Sequence, residues 1–203
     1  MKDPLPKILF FAYLIFFALL AIHPYSRSVW VAENTPIVLI VFFLFLFYAR
    51  SFRFSNAAYL FMSVLVFMHT VGGHYTFERV PFDWFNRTFG FQRNMYDRVA
   101  HFTVGFYAFA MMEFIERQKL TNKKWLGYFT SFCFIVSVAA IYEMIEWRYA
   151  ASSDPASGAA FLGSQGDPWD AQKDMFCDSL GAVFALGIYF LKSLFPSKQI
   201  DAA

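Results

Sequence analysis

The chain has 203 residues, 58% of them hydrophobic and 22% aromatic, with 29 Phe, 16% charged residues and a formal net charge of +2. A soluble domain is typically about 45–50% apolar and about 25% charged. This composition therefore excludes an ordinary soluble globule and fits a polytopic membrane protein. No Lys- or Arg-rich tract is present, which argues against a nucleic-acid partner.

Six apolar segments are readable in chain order, near residues 8–22, 36–48, 57–71, 99–115, 126–147 and 175–195. They define one polytopic domain over 1–203, an all-α compact bundle of about six transmembrane helices. The first segment follows Lys2 and Lys7 but precedes His23, Pro24 and Tyr25. No small-residue cleavage pattern follows it, so it reads as a retained helix. Segments three and four, and five and six, are joined by loops of roughly 25 residues, long enough to expect folded, functional caps. With six spans, Lys2, Lys7, Arg50, Arg53, Arg117, Lys119, Lys123, Lys124, Lys192 and Lys198 share one side. Arg27, Arg79, Arg87, Arg93, Arg98, Arg148 and Lys173 lie opposite. That bias places both termini in the cytoplasm and the two long loops on the outer face. Cys133 and Cys177 sit in apolar segments and read as buried free thiols.

His69 and His74 flank Gly72 and Gly73, where the third segment is expected to end or unwind. Asp97 and His101 are four apart and share a helical face, as a carboxylate and imidazole with one ligand would. A plain Asp–His hydrogen bond closing the helix start is the simpler reading. Glu143 and Glu146, three apart, repel unless a proton or cation lies between them; contact with water would also relieve them. Asp170, Asp174 and Asp178 form a ladder of four-residue steps. Asp167 before Pro168 reads as its N-cap, and the helix dipole favours Asp170 in the first turn. Neither effect reaches Asp174 or Asp178.

Ionisable groups at membrane depth cost roughly 2.5–3.5 kcal/mol each on insertion scales, so they pair, bind ions or line wet cavities. This set holds six carboxylates and no Lys or Arg, which makes a bound cation the leading expectation. Carboxylates and imidazoles without a thiolate suit Zn, Fe, Mn or Mg. The candidate ligands are His69, His74, Asp97, His101, Glu143, Asp174 and Asp178, with Glu146 or Asp170 as general base. There is no Gly-rich phosphate loop, serine-hydrolase elbow or H-E-x-x-H helix. Arg79, Arg87, Arg93 and Arg98 are either binders of an anionic headgroup or phosphate or ordinary interfacial residues.

The stretches at 73–76 (GHYT), 92–102 (QRNMYDRVAHF), 142–147 (YEMIEW) and 163–175 (GSQGDPWDAQKDM) resemble the YjdF-like bacterial inner-membrane proteins. The resemblance covers nearly the whole chain. It implies a multi-pass protein of the inner membrane and brings no activity or site residue with it. From the residues, the expected function is a metal-dependent hydrolase or transferase acting on a lipid or lipid-linked substrate. A cation or proton transporter using the Asp170–Asp174–Asp178 ladder and a non-catalytic scaffold are the alternatives.

Overall fold

A computed structural model describes residues 4–50 and 52–195. Lys2 and Lys198, two of the charges in the orientation argument, lie outside the described residues. The described chain is helical throughout, with no strand. Its elements are α1 (Leu5–Leu20), α2 (Arg27–Ala49), α3 (Asn56–Tyr75), α4 (Asp83–Phe89), α5 (Tyr96–Val104), α6 (Tyr107–Arg117), α7 (Lys124–Ser152), α8 (Pro155–Leu162) and α9 (Asp170–Leu194).

By length and composition, α2, α3, α7 and α9 can each cross a membrane, and α1 is a shorter apolar helix. The six expected segments fall on α1, α2, α3, the α5–α6 pair, α7 and α9. Three local differences have identifiable causes. The second helix begins at Arg27 because Ser26 caps it, its hydroxyl accepting from the Val29 N–H at 3.4 Å. Pro36 therefore lies inside the helix, where it removes the donor that the Ala32 carbonyl would use. The fourth segment is two helices, with Gly105 and Phe106 between them. Gly72 and Gly73 do not unwind α3, which continues to Tyr75 and stops where Thr76 adopts a left-handed conformation. Their lack of a side chain admits neighbours: a Cβ on Gly73 would lie 2.7 Å from Asn34 Nδ2 and 3.1 Å from Glu33 Cβ.

Helices α3, α6, α7 and α9 enclose a core that includes Met62, Phe109, Met112, Ile135, Ala182 and Ala185. Helices α1 and α2 lie against α3 through Tyr13, Ile37 and Val66. Outward faces carry exposed Phe42, Phe43, Ile141, Ile145, Val183 and Leu191, apolar surface that a lipid environment accommodates. The long connections are folded. One holds α4, the other α8, whose first turn is capped by Asp154 accepting from Ala156 N at 3.1 Å and Ser157 N at 3.0 Å.

The crossing of α5 and α9 positions the polar residues. Gly105 and Gly181 face each other so closely that a Cβ on either would overlap backbone of the other helix: Gly181 and Ala182 from one side, the Phe102 carbonyl from the other. Small residues permit this approach. One to two turns toward the loop end, the same two helices present Asp97 and His101 against Asp174 and Asp178.

Candidate metal centre

Asp97, His101 and Asp174 each offer a ligand atom, and these atoms all lie within 4.8 Å of one another. All three residues are buried. The His101 ring is oriented by Asp178, whose two carboxylate oxygens lie 3.2 and 3.3 Å from Nδ1. The other ring nitrogen, Nε2, faces Asp97 Oδ1 and Asp174 Oδ1, each 3.7 Å away. That is the outer-sphere carboxylate arrangement that fixes the tautomer of a metal-ligating imidazole. At 3.7 Å the Nε2 contacts are too long for direct hydrogen bonds.

Two arginines enter the cluster, which the residue spacing alone did not anticipate. Arg98 is 6% exposed. Its guanidinium donates to Asp170 Oδ1 at 2.5 Å and pairs with Asp174 through Nη1. Arg93 donates to the same Asp170 oxygen at 2.8 Å, and both arginines approach Asp167 Oδ2, at 3.5 and 3.4 Å. These side chains turn inward because α9 places three aspartates beside the start of α5. They are thus not free to capture a headgroup. Lys173 closes the group from outside, donating to Asp167 at 2.7 Å. That hydrogen bond, together with one from the Trp169 N–H, holds the Asp167 carboxyl below the usual carboxylate range. Asp167 is not the N-cap of α9, which starts three residues later; it caps the preceding turn, accepting from Trp169 N at 3.0 Å.

Internal neutralisation is still partial. Arg93, Arg98 and Lys173 pair with four aspartates, Asp97, Asp167, Asp170 and Asp174, while Asp178 has only His101 among the described residues. Glu143, on α7, adds a further carboxylate within electrostatic reach of His101, Asp174, Asp178 and Asp97. It is 9% exposed, and its Oε1 is buried without a hydrogen-bond partner.

A cavity of about 130 Å³ adjoins the cluster, lined by Asp97, His101, Asp178, Glu33, His69, Tyr142 and Glu146 among apolar residues that include Pro36, Ile37, Leu65 and Val138. Its far wall is a second polar group. Glu33, 1% exposed, accepts from Tyr142 Oη at 3.1 Å, and its carboxylate lies 3.2 Å from His69 Nε2.

The Predicted membrane protein family DUF2238 matches residues 5–193. The chain belongs to this family. The Inner membrane protein YjdF of Escherichia coli (strain K12) is 34% identical over 168 residues, covering 80% of this chain and 78% of that protein. No solved structure matches.

Within this DUF2238 member, the structure brings Asp97, His101, Asp174 and Asp178 together, whereas Glu143 lies within electrostatic reach on α7 but outside the group whose ligand atoms converge. His69 lies across the cavity on Glu33, its Nε2 also 2.9 Å from the Glu33 carbonyl. His74 lies apart: its Nδ1 bonds the Leu20 carbonyl at 2.7 Å and ties the end of α3 to the end of α1. Glu146 is buried on the cavity wall. Asp170 is engaged by both arginines. Sequence reasoning missed Glu33, Tyr142 and the inward turn of Arg98. Glu33 was detectable in principle: the cap at Ser26 starts a helix early enough to carry it into the apolar run.

Proposed function

We propose that Asp97, His101 and Asp174 hold a divalent cation, Zn, Fe, Mn or Mg by donor type. The observation that carries this reading is that one ligand atom from each of these three buried residues lies within 4.8 Å of the others, on an imidazole whose other nitrogen lies against Asp178. The unpartnered Glu143 oxygen supplies a second indication that positive charge belongs at this point. A bound metal would bring water toward a pKa of about 7, and Glu146, which lines the adjoining cavity, would take its proton. Asp170 serves as the anchor of the arginine clamp. The reaction class this supports is metal-dependent hydrolysis or group transfer on a lipid or lipid-linked substrate, because the cavity is partly apolar and lies within a bundle dressed for the bilayer.

The family and its relative support an inner-membrane setting, and the distribution of Lys and Arg supports cytoplasmic termini. A cation or proton relay is favoured less. Away from the aspartates, α9 continues through Ala182, Ala185 and Leu186 against Phe109 and Ile135, which offers a proton or ion no continuous polar path. Elemental analysis of detergent-purified protein tests the proposal. Stoichiometric metal in the wild type, lost in Asp97→Ala and His101→Ala variants that still elute as folded protein, supports it. Metal-free wild type after purification with added Zn, Mn, Fe or Mg, or unchanged content in the variants, overturns it.

A further inference from the structure

At the opposite end of the bundle from the aspartates, the start of α3, the end of α6, the start of α7 and the end of α9 surround a polar pocket of about 720 Å³. Four cations line it: Arg53, Arg117, Lys124 and Lys192. Arg117 is neutralised by Glu113, a buried carboxylate that also accepts from Ser55 N at 2.7 Å and Ser55 Oγ at 2.5 Å. Glu116 is engaged by the Tyr189 hydroxyl. The other three cations make no ion pair among the described residues, and against the two carboxylates of the lining, Glu113 and Glu116, the four cations leave a surplus of two. Arg53 donates to the Tyr48 carbonyl and stacks on the Tyr48 ring, 3.5 Å from its centroid. Lys192 Nζ lies 5.4 Å from the centre of the Phe109 ring, and Lys124 has no acceptor among the described residues.

Aromatic contacts of this kind orient a cation without consuming its charge. The pocket thus keeps a surplus of positive charge on a framework that Glu113 holds rigid. Lys124 is the first residue of a 29-residue helix whose N-cap, Lys123, provides no side-chain acceptor, so the dipole of α7 adds to the positive potential there. Basic pockets between transmembrane helices recognise anionic headgroups.

We propose that this pocket binds a phosphate-bearing anion, the headgroup of an anionic phospholipid, with Lys124 and Lys192 as its principal contacts. It is independent of the metal centre. Full-length protein is purified in a mild detergent and offered phosphatidylglycerol or phosphatidylcholine, and retained lipid is counted by native mass spectrometry. Wild type retains phosphatidylglycerol in preference, and the Lys124→Gln/Lys192→Gln double variant retains about tenfold less or lower still. Both lysines are exposed, so the variant keeps the wild-type melting temperature. Indifference of wild type to the headgroup, or undiminished retention by the double variant, overturns the proposal. Displacement of the lipid by millimolar inorganic phosphate reassigns the site to free phosphate and overturns the lipid assignment; resistance to phosphate supports the lipid.

Discussion

Gly181 offers a sharp test of how the candidate site is held together. Replacing it with Ala adds one methyl group directly against the Phe102 carbonyl of α5. Two effects oppose each other. Ala is favoured over Gly inside a helix by about 1 kcal/mol. Overpacking costs about 1–3 kcal/mol, and more where no rotamer change can relieve it; here the obstruction is backbone, so the upper end applies. The net is a destabilisation of about 2 kcal/mol, which lowers Tm by about 4–8 °C for a chain of this size. The geometric consequence falls on the metal centre. His101 adjoins Phe102, and Asp178 lies one turn before Gly181, so parting α5 from α9 by about an ångström breaks the 3.2 Å His101–Asp178 hydrogen bond. Gly187, on the same helix, has open space where its Cβ would be, and Gly187→Ala is the control, expected neutral or slightly stabilising. Thermal unfolding in detergent and metal content are measured on both variants. Equal melting temperatures and metal contents for Gly181→Ala and Gly187→Ala would refute the reasoning.

Asp178→Asn should leave the fold intact and weaken metal binding about 10–100-fold, as loss of an orienting carboxylate does; competition against a fluorescent chelator measures it, and wild-type affinity would remove Asp178 from the site. Arg98→Met leaves Asp174 without its arginine and Asp170 with Arg93 alone, and breaking a buried pair by removing one partner costs about 3–5 kcal/mol. Its Tm should fall by about 6–20 °C, with Arg98→Lys intermediate because one ammonium cannot span both carboxylates; a Tm within a degree of wild type contradicts the clamp. Asp167 has a folded-state pKa below its ordinary value, so the folded state binds fewer protons there than the unfolded state. Its contribution is complete above the ordinary value and is lost as pH falls through the folded one. Melting curves for wild type and Asp167→Asn should therefore converge between neutrality and about pH 3; curves that stay parallel show that the Lys173 bond does no such thing.

Much of the candidate site was legible because its spacing is local. Four-residue steps put Asp97 with His101, and Asp170 with Asp174 and Asp178, on common faces wherever those helices go. What the spacing does not carry is apposition. Arg98 could have turned to solvent or a headgroup; only the docking of α5 on α9 supplies aspartates for its guanidinium. Gly105 and Gly181 are unremarkable until the crossing sets them opposite each other. The apolar run that begins at Pro36 marks only the later part of α2, whereas the Ser26 cap begins the helix nine residues before that run. That shift is what concealed Glu33.

The two polar ends are chemically opposite, and their separation matters. Asp178 and Lys192 are on one helix, about 21 Å apart along its axis, with Ala182, Ala185 and Leu186 between them in a core completed by Phe109 and Ile135. An ion crossing that stretch would lose its water without gaining ligands, at several kcal/mol even after relaxation. On the functions proposed above, the loop end would act on what reaches it from its own side of the bilayer, and the basic end would bind what reaches it from the other. The acid surplus at one end and the cation surplus at the other compensate each other only weakly across such a layer: at about 21 Å and an effective dielectric near 20, a unit pair is worth about 0.8 kcal/mol. Each end must find its counter-charge locally. At the loop end, Arg93, Arg98 and Lys173 supply part of it, and the position facing Asp97, His101 and Asp174 is where the remainder belongs.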